Sequence, residues 1–136
     1  MYLSRFFAPR VRVVEVNRPD VVAEVRAAFD AYERALVANE LDALDATFWA
    51  DERVVRFAFG DVQLGAERIA AARRERARQT GDRRLEHLVL TTFGADAATA
   101  FAVFRLVEDD TVVHQSQTWV RFGDGWRVVA AHVSQT

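Results

Sequence analysis

Apolar residues recur along this chain with two different periods, and the change from one to the other divides it into a helical and a sheet-forming part. After the cluster Asn17-Arg18-Pro19-Asp20, whose proline and acidic residue suit the start of a helix, Val22, Val25, Phe29, Tyr32 and Leu36 follow at spacings of three and four. That spacing predicts one apolar stripe on a first helix. Asn39 is expected to end it, and Leu41, Leu44 and Phe48 give a short second helix over Leu41 to Trp49. Arg53 to Phe59 is rich in β-branched and aromatic residues and stops at Gly60-Asp61, so it predicts a strand and a turn, with Val62 to Leu64 pairing back. An alanine- and arginine-rich third helix is expected from Gly65, ending by Gly81.

Beyond Gly81 the period becomes two. Leu85 to Phe93, Ala97 to Val107, Thr111 to Phe122 and Trp126 to Ser134 are separated by Gly94-Ala95-Asp96, Glu108-Asp109-Asp110 and Gly123-Asp124-Gly125. Such turns are too short for crossovers and predict an antiparallel meander. Helices first and strands afterwards is an α+β order, distinct from the βαβ alternation of nucleotide-binding folds. The expected division is an N-terminal arm at residues 1–16 and one domain at residues 17–136. The arm is consistent with a first strand, a contact to a neighbouring subunit or a frayed end.

Composition narrows the chemistry. A chain of 136 residues suits one domain burying roughly two-thirds of its unfolded surface. Its 18 basic and 20 acidic residues, net charge −2, give no long-range attraction to nucleic acid or anionic lipid. Without cysteine there is no thiolate nucleophile, disulfide or Cys-based zinc site, which suits a cytoplasmic setting. No segment has the roughly 20 apolar residues of a membrane span or the pattern of a signal peptide. His87, His114 and His132 fall on three different strands without metal-ligand spacing, so neither a metal nor another cofactor is expected.

The informative residues are polar ones at inward positions, because an unpaired buried polar group costs about 1–3 kcal/mol. Tyr32 lies within the first stripe, where its hydroxyl either bonds a backbone carbonyl or faces a pocket. Arg56 alternates with Val54 and Ala58; if that face is covered, its guanidinium requires a carboxylate or an anionic ligand, and if the strand lies at an edge, it requires only water. Gln115, Gln117 and Trp119 share one face of a long strand, which suits a pocket for a small planar ligand and equally an outward polar ladder or a dimer face. Arg73 follows Ile69 by about one helical turn and is placed inward, with a guanidinium that can still snorkel to water. Arg74, Arg76, Arg83 and Arg84 fit a solvated face.

Two segments carry a resemblance. NRPDVVAEVRAAFDAYERALVANELDALDATFWADERVVRFAFGD and QSQTWVRFGDGWRVVAAHVS resemble the AtzH-like family, small SnoaL/NTF2-like proteins tied to oxalurate and cyanuric-acid catabolism. The likeness spans Asn17 to Ser134. It implies a cystatin-like cone, with three N-terminal helices on a curved, mostly antiparallel sheet, and a homodimer. It also implies hydrolase or decarboxylase action on a carboxylated urea or oxalurate-type compound, with the family's functional tyrosine and arginine at Tyr32 and Arg56. Arg73, Gln115, Gln117 and Trp119 are expected to bind the small anionic substrate. The alternative is a non-catalytic protein that holds an acidic metabolite or docks a partner amidase. The chain is also similar to ketosteroid isomerases, which carry a carboxylate base near the position of Arg56; arginine cannot serve as a base at neutral pH, so isomerisation is disfavoured.

Overall fold

The computed structural model describes residues 13–136, so most of the expected arm lies outside the described residues. Its last part runs beside the sheet: Val16 forms an antiparallel bridge to Phe93, and the Asn17 amide donates to the Thr92 carbonyl at 3.0 Å. Three helices follow, α1 (Pro19–Val37), α2 (Leu41–Thr47) and α3 (Ala66–Arg74). Six strands, β1 (Val55–Ala58), β2 (Asp61–Leu64), β3 (Arg83–Phe93), β4 (Ala97–Leu106), β5 (Val112–Phe122) and β6 (Gly125–Gln135), form one sheet in the order β2-β1-β6-β5-β4-β3. The last four make the expected meander, while β1 pairs parallel with β6, so the sheet is mixed.

Proline at the first helical position starts α1, and its buried stripe is Val21, Val25, Phe29, Tyr32 and Leu36. The expected Val22 is only half-buried; the face is turned by one residue at its first turn. Helix α2 stops at Thr47 rather than Trp49, because Phe48 swings into extended backbone and bridges Val128 of β6. That bridge drives the Phe48 ring into the core beside Tyr32, with centroids 6.0 Å apart. Alanines at Ala98, Ala100 and Ala102 alternate along the inner side of β4, leaving room on the concave side for the large side chains of α1.

Gly65 links β2 to α3 in the left-handed region at φ +91°, and its amide donates to the Val54 carbonyl at 2.8 Å. This contact lays α3 beside β1. The helix ends at Arg74, well short of the expected Gly81. The Arg73 carbonyl, which a longer helix would use for the amide of residue 77, instead accepts a 2.8 Å bond from Gln79 Nε2. Residues 75–82 then run as irregular chain along the open end of the cone.

The outer sheet face remains apolar: Val89, Phe101 and Phe57 are 63 %, 57 % and 43 % exposed. A contiguous patch of this kind in water favours a cover, and a second copy of the chain is the expected one. Equilibrium sedimentation should return a dimer at micromolar concentration; a monomer there would remove the need for a cover.

Candidate functional site

Strand alternation sets the first side chain of the site. Val54, Arg56 and Ala58 point inward and are buried, while Phe57 points out, so the covered-face alternative holds for Arg56. Tyr32 reaches the same space from α1 and Gln115 from β5. Together with Arg76, Gln79 and Arg83 they line a cavity of about 300 Å³ at the open end of the cone, closed elsewhere by Leu36, Phe59, Leu106 and Val133. That volume suits a small molecule. Phe59 breaks the alternation of its strand: its left-handed backbone, φ +52°, turns it to the cavity wall, where the Arg76 guanidinium lies 5.3 Å from its ring centroid. Such a conformation costs an aromatic residue roughly 1–2 kcal/mol.

The charges in this space are poorly matched from within the protein. Arg56 is 6 % exposed and makes one side-chain bond, donating from Nη1 to Gln63 Oε1 at 3.3 Å; its Nε has no partner. Gln63 in turn donates to Asp61, which also pairs with Arg68. Burial above all pushes the Arg56 guanidinium down to about 10; Tyr32 opposes the shift, and the Arg76 and Arg73 charges add to it. It is still cationic at neutral pH. Arg76 is lowered too, first by burial and then by Arg73.

Arg73 corrects the expectation of a snorkelling side chain. It is 1 % exposed and lies 4.6 Å above the Phe48 ring, with Asp45 at 3.3 Å in a geometry that leaves all three guanidinium nitrogens without a hydrogen bond. The other oxygen of Asp45 is held by Arg74 at 2.8 Å. Arg73 therefore stands behind the cavity wall and acts on it through its charge.

Arg83, expected on a solvated face, is inside, with its side chain 4 % exposed. Its Nε donates to Glu33 Oε2 at 3.1 Å, a second bond runs from Nη2 to the other oxygen, and the guanidinium stacks 3.7 Å from the Phe104 centroid. Arg83 also donates to Gln115 Oε1 at 3.4 Å, which leaves the buried Gln115 Nε2 as a donor without an acceptor. Among the described residues the cavity lining contains no Asp, Glu or His, and no acid or base bonds the Tyr32 hydroxyl.

Two expected binding residues sit deeper. Gln117 accepts from the Trp119 indole at 3.1 Å, and the Trp119 ring meets Tyr32 edge-on at 6.5 Å; neither lines the cavity. They support the wall that carries Tyr32. The histidines face the other way: His87, His114 and His132 line a concavity on the outer face with Ser116 and Ser134. Among the described residues no group of three or more His, Cys, Asp or Glu side chains could hold a metal ion.

The two arginine environments predict opposite responses. Removing Arg56 relieves an unpaired buried charge, so Arg56→Ala should melt within about 1 kcal/mol of the wild type or above it. Arg83→Met strands Glu33 and should cost about 3 kcal/mol. Denaturant titration of both variants without ligand checks the order; a larger loss at Arg56 would make it a structural ion-pair partner.

The comparisons with known proteins agree with this fold. The AtzH-like family matches residues 14–136. A crystal structure from Pectobacterium atrosepticum, a DUF3225-family protein of unknown function, is 45% identical and superposes with a TM-score of 0.85 over 89% of this chain and 94% of that one. A cystatin-like fold protein from Burkholderia xenovorans is also 45% identical, with a TM-score of 0.85 over 90% of this chain and 96% of its own. An NTF2-like protein of unknown function from Pseudomonas putida shares the fold at 17% identity, with a TM-score of 0.73 over 86% and 87% of the two chains. No curated protein matches the sequence. An α+β cone of the NTF2-like, cystatin-like type, with the family's sequence running through nearly all of it, makes this chain a member of the AtzH-like family.

Proposed function

We propose that the cavity binds a small carboxylate-bearing metabolite, with Arg56 as its charge partner. The observation that carries this reading is the buried Arg56 guanidinium, which faces the cavity with a free Nε and has no ion-pair partner among the described residues. A ligand carboxylate would complete a charge-assisted pair there. Tyr32 supplies a hydroxyl at the same wall, and Gln115 Nε2 supplies a donor for a carbonyl oxygen at the other side. An amide-bearing acid of the oxalurate or carboxylated-urea type has both groups.

Binding is the primary reading because the lining lacks a general base among the described residues. Hydrolysis of an amide requires a group that activates water, and the carboxylate nearest Tyr32 in sequence, Glu33, is held by Arg83. Turnover is the second reading, favoured by one observation: the Tyr32 hydroxyl faces the cavity without an acid or base bound to it among the described residues. Loss of carbon dioxide from an N-carboxylated urea requires a proton at the nitrogen and no activated water, a demand that one tyrosine can meet.

A thermal-shift series separates these readings. Oxalurate and allophanate should raise the melting temperature while neutral biuret does not; a ligand at 100 times its dissociation constant adds about 2.7 kcal/mol. The shift should vanish in Arg56→Ala and persist in Tyr32→Phe, which keeps the ring between Phe48 and Trp119. Equal stabilisation by biuret would sink the anion reading. Carbon dioxide release by the wild type and not by Tyr32→Phe would raise turnover above simple binding.

A further inference from the structure

We propose that two copies of the chain meet over the histidines of the outer sheet face, and that this interface opens in mild acid when those imidazoles take up protons. The proposal rests on the self-association expected of that face and is independent of what the cavity binds.

Strand register places the histidines together. Buried Ala102, Gln115 and Val133 lie side by side on the inner face, so the rows on either side of them point outward. One of these is His87, Val103, His114 and Ser134, across β3, β4, β5 and β6. The other is Phe101, Ser116, His132 and Phe57, across β4, β5, β6 and β1. His114 and His132 are therefore diagonal neighbours on adjacent strands, a relation that sets residues about 7–8 Å apart. All three histidines are exposed, and so are Phe101 and Phe57.

Charge decides what these rows can meet. Neither contains Asp, Glu, Lys or Arg, and His132 lies edge-on to the Phe57 ring with centroids 6.1 Å apart. Charged groups at the margins already have partners: Glu86, next to His87 and near Arg84 on β3, is held by Arg105 of β4 at 3.0 Å, and Asp61 pairs with Arg68 at 3.3 Å beyond β1. A two-fold axis lays a surface against itself, so any charge on it faces its like. With neutral imidazoles the two rows carry no formal charge, and they offer apolar rings and short hydroxyl side chains to their own copy. A partner recognised through opposite charge finds no handle here, which selects a second copy.

Protonation reverses that balance. Imidazoles in general gain a proton near about pH 6.5, and three on each copy bring six positive charges into one interface. The rows offer no carboxylate to pair with them, so desolvation and like-charge repulsion both favour separated subunits. The free subunit then binds protons more readily than the dimer. Association is therefore strongest above about pH 7 and is lost as the pH falls through the ordinary histidine range.

Sedimentation equilibrium of the full chain at constant ionic strength, from about pH 7.5 to about pH 5.5, spans that range. Circular dichroism at each pH reports whether the subunits stay folded. The dimer dissociation constant should rise at least about 100-fold toward acid and recover on return to neutral pH. In the His87→Gln/His114→Gln/His132→Gln chain that rise should disappear. Should this chain not dimerise at neutral pH, the three single glutamine variants replace it, and at least one should flatten the slope. A dimer equally tight at both ends overturns acid opening while leaving the interface, and a monomer throughout overturns both. Equal weakening in the wild type and the glutamine variants overturns the assignment to histidine. Loss of the folded spectrum before dissociation places the acid sensitivity in the subunit and overturns the proposal.

Discussion

A guanidinium withdrawn from water must be compensated by an opposite charge or a full set of acceptors, and among the described residues the environment of Arg56 supplies only one side-chain acceptor, Gln63 Oε1. Much of the architecture around it maintains that condition. Inward alternation of β1 buries the side chain, and the Gly65 contact with Val54 lays α3 alongside. The early end of α3 brings a second guanidinium, Arg76, to the same space. A fold selected for stability alone would fill this volume with apolar side chains, as the Phe29, Leu44 and Val128 region of the core does.

Arginine is settled in three ways within this one small domain. Arg83 is fully engaged, by Glu33, Gln115 and the Phe104 face, and belongs to the wall. Arg73 has a ring beneath it and a misaligned carboxylate beside it, so its charge is felt more than its hydrogen bonds. Arg56 and Arg76 line the cavity without an ion-pair partner among the described residues. The difference is one of supply: Glu33 and Asp45 already have basic partners, so the carboxylates of this region are exhausted before the cavity is reached.

Periodicity made α1, the β1 faces and the meander legible, because a stripe at 3.6 residues and an alternation at two report directly which side is buried. Tyr32, Arg56 and Gln115 were found by that same logic, as polar residues in apolar registers. Arg76 and Arg83 were not, since they sit on irregular chain and at the beginning of a strand, where no period marks an inward side. The parallel pairing of β1 with β6 left no local trace either, because partners so far apart in sequence carry no turn between them. Gln117 and Trp119 share the inward face of β5 with Gln115, yet bond each other beneath the cavity; alternation gives the face and not the depth.

The β1–β6 pairing also orders events during synthesis. Val55 to Ala58 must wait for Ala130 to Val133, the other side of more than half the chain, before they gain a sheet neighbour on that edge. Until the C-terminal strand emerges, Arg56 stays hydrated at the margin of a two-stranded hairpin, which alone is marginal in water. The nascent chain can therefore build its helices and most of the meander while the Arg56 guanidinium keeps its water, and meets the cost of burying that charge only on closing the cone.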